Sequence, residues 1–297
     1  MPWQRVITAL ILLPIVILAI FNLAIEFFAV AVGAILALAA WEWSGLFTDK
    51  KHHRFLYILS VVLLMWCIQL FSLPMTLWHG FILPETIFDL FAPNQLALDA
   101  LILGFFWWIF AVILLMVYPR VSQNILANPL WIVLIGWLMI VPAWVGIVGI
   151  RSMSISFDAL HGAKLLLFVL LLVWAADTGA YIAGKSFGRT KLAPKISPKK
   201  TWEGVFGGLA LALAVLGGSF YLLHFTREQW LPLIVLTIII VAFSVVGDLT
   251  ESIFKRLTGK KDSGRILPGH GGILDRVDGV IAVLPIALLG FSVLGIK

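Results

Sequence analysis

Six Lys or Arg residues (Lys255, Arg256, Lys260, Lys261, Arg265 and Arg276), three Asp residues (Asp262, Asp275 and Asp278), His270, five Gly and Pro268 fall within residues 252–278 of a chain that is 62% hydrophobic. Such a segment is not a membrane span. Ammonium and guanidinium groups suit phosphate oxygens, paired carboxylates suit a hard cation such as Mg²⁺, and glycines let backbone approach a ligand closely. Together these needs describe a nucleotide-and-metal phosphoryl-transfer site.

Carboxylates also close two apolar runs. Asp177 ends LLLFVLLLVWAAD, where an unpaired carboxylate costs several kcal/mol and is usually retained for function. The plain alternative is a solvated interfacial side chain. Asp248 ends TIIIVAFSVVGD. If that helix continues, Asp248 and Ser252 share a face at i, i+4, as do Glu251 and Lys255, and one more turn adds Arg256 to the Asp248 face. A salt-bridged helix end is the alternative there.

Asp275 and Asp278 are three apart, just after Gly271 and Gly272, where the last apolar helix begins. The helix dipole would stabilise both without a metal. The preferred reading is a divalent ion held by Asp248 and Asp275, with Asp278 on the ion or on one of its ligands. In KISPKKTWEG, at 195–204, Ser197 and Thr201 offer hydroxyls and Lys199 and Lys200 offer charge. A basic loop beside a membrane otherwise needs only anionic lipid to explain it, at about 1 kcal/mol per Lys.

The elements that must position these groups are membrane helices. With 297 residues, 12% of them charged, and a mean hydropathy of +1.07, the chain has too little polar cover for a water-soluble globule. Stretches of about 20 apolar residues, enough to cross a bilayer, occur at about 5–22, 24–46, 55–73, 98–118, 130–150, 164–184, 203–223, 230–250 and 278–296. The expected fold is therefore an all-α polytopic integral membrane protein of about nine transmembrane helices. Residues 1–160 form an N-terminal scaffold, and 161–297 form a catalytic region with loops 185–203 and 251–278. The N-terminal charge-then-apolar layout lacks a cleavage site and is read as a retained first helix.

With a cytoplasmic N-terminus, 17 of the 21 Lys and Arg fall on the cytoplasmic side, leaving Arg151, Lys164, Arg227 and Lys297 outside, as the positive-inside rule favours. Both motif loops then face the cytoplasm. The charge of +6 thus reports topology and gives no reason to expect nucleic acid. The loop 73–98 carries Glu85 and Asp89 but no Lys or Arg, and its prolines suggest a re-entrant or surface-lying piece. Trp3, Trp41, Trp43, Trp107, Trp108, Trp131, Trp202 and Trp230 read as interfacial belt residues. Glu42, between two Trp, reads as interfacial or helix-pairing. Cys67, the single cysteine, reads as an inert thiol. Gly204 and Gly208 read as a helix-packing pair; glycine-rich faces permit a homodimer without requiring one.

The series Ser252, Phe254, Lys255, Arg256, Lys261, Asp262, Gly264, Leu267, Pro268, His270, Gly271, Gly272, Asp275, Arg276, Asp278 resembles the signature of the phosphatidate cytidylyltransferases, the bacterial CDP-diacylglycerol synthases. The likeness extends to GDLTES at 247–252, AADTGAYIAGKSFGR at 175–189 and KISPKKTWEG, roughly the last 125 residues. Upstream it is one of hydropathy and length. The resemblance implies transfer of CMP from CTP to phosphatidic acid, giving CDP-diacylglycerol and pyrophosphate at the cytoplasmic face of the bacterial inner membrane. It implies Mg²⁺ on Asp248 and Asp275, with a second ion left open. It sets Lys255, Arg256, Lys261 and Arg276 around the phosphates, with Asp278 beside them, and Asp177, Ser197, Lys200, Ser252, His270, Gly271 and Gly272 in substrate binding. The attacking phosphate is already ionised and needs no base, so His270 reads as a hydrogen-bonding or loop-shaping residue.

Two rivals are weighed. A transporter would show carboxylates near mid-span and an internal repeat, whereas Asp177, Asp248 and Asp275 are all expected at inner helix ends and no repeat is visible. An enzyme acting on a different lipid, such as a polyprenyl or archaeal-type one, stays open. The aspartate-rich helix of the CDP-alcohol phosphotransferases is not found.

Overall fold

The structure, a computed structural model, describes residues 2–71, 96–120, 126–153, 158, 160–266 and 271–295. His270 and most of the loop 73–98, with Glu85 and Asp89, lie outside the described residues. Nine long helices account for almost all the rest: α1 Pro2–Asn22, α2 Ile25–Ser44, α3 Lys51–Phe71, α4 Leu96–Val117, α5 Pro129–Ser152, α6 His161–Phe187, α7 Trp202–Leu222, α8 Trp230–Leu257 and α9 Leu274–Val293. Among the described residues eight helices are long and apolar enough to cross a membrane. The chain is an all-α integral membrane protein, because only helices satisfy every backbone polar group within one lipid-exposed segment.

Small residues decide which helix lies at the centre. α5 is the most enclosed span, and it packs on α2, α3, α4, α6 and α9. A Cβ on Gly146 would meet the Leu284–Pro285 backbone of α9 at 2.6–2.8 Å, and one on Gly104 would meet Pro142 at 2.5 Å. α6 and α7 also pack closely. A Cβ on Gly208 would come within 2.5 Å of the Ala176 carbonyl oxygen, and one on Gly179 would run into Gly207. Gly204 and Gly208 thus pack helices within the one chain.

Two corrections concern aromatic residues and helix ends. Trp43 and Trp108 are fully buried and Trp107 nearly so, so these three are core residues and not an interfacial belt. Trp43 Nε1 donates to the Ile132 carbonyl at 2.8 Å. α6 and α8 continue past the expected ends at 184 and 250. A helix of 28 residues is about 42 Å long against a hydrocarbon core of about 30 Å. Asp177 and Asp248 therefore sit within long helices and not at their ends.

Between α6 and α7 the chain forms a small antiparallel ribbon, β1 Lys191–Ala193 and β2 Ser197–Thr201, pairing Lys191 with Thr201 and Ala193 with Ser197. Hydropathy reading did not resolve this element. It carries Ser197 and Lys200. Glu203, in the first turn of α7, accepts from the Thr190 amide at 3.0 and 3.2 Å and closes the ribbon's base.

Candidate active site

Lys200 joins the ribbon to α8. Its Nζ lies 2.6 Å from Asp248 Oδ2, and Ser252 Oγ, one turn on, donates to Asp248 Oδ1 at 3.3 Å. The continued α8 thus puts carboxylate and hydroxyl on one face. Asp177 of α6 is within electrostatic reach of Lys200, Asp248 and Arg276. Beside this cluster lies a cavity of about 480 Å³ bounded by α6, α7, α8 and the ribbon. Asp177, Tyr181, Lys185, Lys199, Lys200, Thr201 and Asp248 supply its polar lining, and Ala176, Val205, Val241 and Val245 its apolar wall.

A second cluster adjoins it through α8. Lys255 Nζ bridges Glu251 Oε2 at 2.8 Å and Asp275 Oδ1 at 2.7 Å. Asp275 also accepts from the amide of Ser263 at 3.1 Å and that of Gly272 at 2.9 Å. Its acceptor capacity is therefore largely taken, since a carboxylate offers about four lone-pair sites. Glu42, far back on α2, accepts from the Leu274 amide at 2.8 Å and from Ser263 Oγ at 3.3 Å.

Among the described residues no three His, Cys, Asp or Glu side chains converge as a metal-binding group. The donor chemistry nevertheless fits a hard divalent cation. Asp278 is within electrostatic reach of both Asp248 and Glu251, and Asp275 adjoins Glu251. All are oxygen donors, as Mg²⁺ requires, and the Glu251 and Asp278 carboxyls lie within hydrogen-bond reach of each other.

A profile of the cytidylyltransferase family matches residues 3–294. The chain belongs to the cytidylyltransferase family. Phosphatidate cytidylyltransferase of Haemophilus influenzae is 38% identical over 291 residues, covering 95% of this chain and 96% of its own. The Pseudomonas aeruginosa protein of that name is 39% identical over 284 residues, 95% of this chain and 94% of its own. That of Staphylococcus aureus is 49% identical over 142 residues, 48% of this chain. The likeness thus reaches well beyond the last 125 or so residues, into the scaffold helices where sequence reading found only hydropathy in common.

For this cytidylyltransferase the structure sorts the expected site residues. It brings together Asp177, Lys200, Asp248, Ser252 and Arg276 at the cavity side. Lys261, Arg256 and Arg276 are exposed, and Arg256 lies within electrostatic reach of Tyr118 at the end of α4. Lys255 is buried between two carboxylates, so its charge is neutralised inside the protein. Among the described residues Asp248 and Asp275 share no partner: Asp248 turns to Lys200 and Ser252, Asp275 to Lys255, Ser263 and Gly272. Ser197 is half-buried on the ribbon. Lys185, in the last turn of α6, lines the cavity. Glu42 goes beyond helix pairing, because it bonds to the loop. The only sequence signal for it was a carboxylate flanked by two Trp.

Proposed function

We propose that this cytidylyltransferase transfers CMP from CTP to phosphatidic acid, giving CDP-diacylglycerol and pyrophosphate for phospholipid synthesis, at the cytoplasmic face of the bacterial inner membrane. The observation that carries the reading is the two-natured cavity. Lys185, Lys199 and Lys200 meet Val205, Val241 and Val245 across it, so a polyanionic head and apolar tails find matching walls in one space. The names of the relatives agree with this.

An oxygen of the lipid phosphate attacks the α-phosphorus of CTP. The bond from that phosphorus to the oxygen shared with the β-phosphate breaks, and pyrophosphate leaves with the electron pair. Both substrates are polyanions, so the barrier contains their mutual repulsion. Lys200, Lys261 and Arg276 offset it by setting fixed positive charge where negative charge converges. Ser252 and the Gly271 backbone orient phosphate oxygens, while the Gly272 amide, held by Asp275, keeps the turn in place. Asp248 and Asp275 would hold Mg²⁺, with Asp278 beside them. When bound, that ion neutralises phosphate charge and stabilises the leaving group.

The test is transfer of label from α-labelled CTP into chloroform-soluble product by the purified protein in detergent, with phosphatidic acid. Transfer that needs Mg²⁺ and is lost in Asp248→Asn supports the reading. A folded, CTP-binding protein that transfers nothing to phosphatidic acid would overturn it.

A further inference from the structure

Glu42 belongs to the scaffold, yet it is joined to the motif loop 232 residues away. It is 2% exposed. Its Oε2 accepts from the Leu274 amide at 2.8 Å and from Ser263 Oγ at 3.3 Å. Leu274 begins α9, and the residue before it, Ile273, provides no side-chain cap. The first amides of a helix have no acceptor inside it, so Glu42 serves as the cap from another helix, with the charge the helix dipole favours there.

Ser263 is held twice, through its hydroxyl by Glu42 and through its amide by Asp275. The loop backbone lies directly on the Glu42 carboxylate: a Cβ on Gly264 or Gly272 would run into it. The same end of α2 holds the start of the loop, where Lys260 Nζ donates to the Gly45 carbonyl. That end of α2 is itself fixed. Arg54 donates to the Trp41 carbonyl and to Ser44 Oγ, and Trp43 packs edge-on against Phe254 of α8 at 5.2 Å.

From these contacts we infer that Glu42 is a positioning residue of the scaffold, which clasps residues 263–264 and 272–274 and so sets Asp275 against Lys255 of α8. It touches no substrate. This rests on the reading that 252–278 carries the transfer chemistry.

The experiment compares Glu42→Gln, Glu42→Ala, Gly264→Ala and the Glu42→Ala/Gly264→Ala double variant in detergent, measuring CMP transfer and tryptic cleavage after Lys260, Lys261 and Arg265. The glutamine amide oxygen can accept both bonds, so Glu42→Gln stays within about threefold of wild type. Glu42→Ala and Gly264→Ala each lower kcat by about tenfold or more while KM for CTP moves less than about twofold, as misplacement of groups needed in the transition state does. Both speed cleavage in the loop. The double variant is no worse than Glu42→Ala, since the added methyl then finds room. Should Glu42→Ala fail to fold, Gly264→Ala carries the same test from the loop side. Unchanged kcat in folded Glu42→Ala or Gly264→Ala, loss that merely follows the unfolded fraction, or slowed transfer with wild-type cleavage overturns the inference. A wild-type protein that transfers no CMP sinks the functional reading instead, and the cleavage pattern still decides the clasp.

Discussion

Lys200 Nζ and Asp248 Oδ2, 2.6 Å apart, are the one ion pair that ties the ribbon to α8 among the described residues. Both side chains are about a third exposed, and such a pair contributes only about 0–1 kcal/mol to stability. Lys200→Ala should therefore leave thermal unfolding in detergent nearly unchanged. Its charge faces the cavity, however, and removing a fixed charge from a developing anion costs about 10²–10³ in rate. The expected result is a loss of that order in kcat/KM for CTP with a folded protein.

Lys255 behaves in the opposite way. It is buried with Glu251 and Asp275 as partners, and taking one member from such a group leaves a buried charge uncompensated, at about 3–5 kcal/mol. Lys255→Met should lower the unfolding temperature sharply. Adding Glu251→Gln should restore part of the loss, so the double variant is more stable than the sum of the single effects. Thermal unfolding of the four proteins measures this.

Chelating divalent cations should abolish CMP transfer without unfolding the protein, and Mg²⁺ should restore it. Asp248→Asn should show no transfer at the Mg²⁺ concentration that saturates wild type and recover part of it only at higher Mg²⁺, because it removes a proposed ligand from the cavity wall. Asp275→Asn should lower the rate and also loosen the loop at Ser263 and Gly272, whose amides it holds. Mg²⁺ titrations of activity alongside loop proteolysis separate the two effects. An Asp248→Asn titration identical to wild type would remove that residue from the metal proposal.

The α6–α7 contact sets the cavity's width. Gly207 meets Ala183 and the Gly179 carbonyl so closely that any Cβ collides. Gly207→Val should destabilise the protein by about 1–3 kcal/mol through overpacking. Gly217→Val, further along α7 where a Cβ meets nothing within 4 Å, should be neutral. Thermal unfolding of both variants checks the contrast.

The number of long helices among the described residues and their rough limits were legible from residue order. Hydropathy over about 20 residues and charge in the intervening loops depend only on chain neighbours, and lipid forces each apolar stretch to satisfy its own backbone. The i, i+4 pairs Asp248–Ser252 and Glu251–Lys255 were readable for the same reason, since helix geometry alone brings them together.

Contacts between helices depend on packing, which no local pattern encodes. Hydropathy cannot distinguish a lipid-facing tryptophan from a core one, so Trp43 and Trp108 read as belt residues although the fold buries both. A lysine reads as a free cation in any loop; only the fold encloses Lys255 between two carboxylates and turns Lys185 into the cavity. Glu42 shows the limit most plainly. Its partners lie more than 220 positions away, and they meet only because α2, α8 and α9 end at the same side of the bundle.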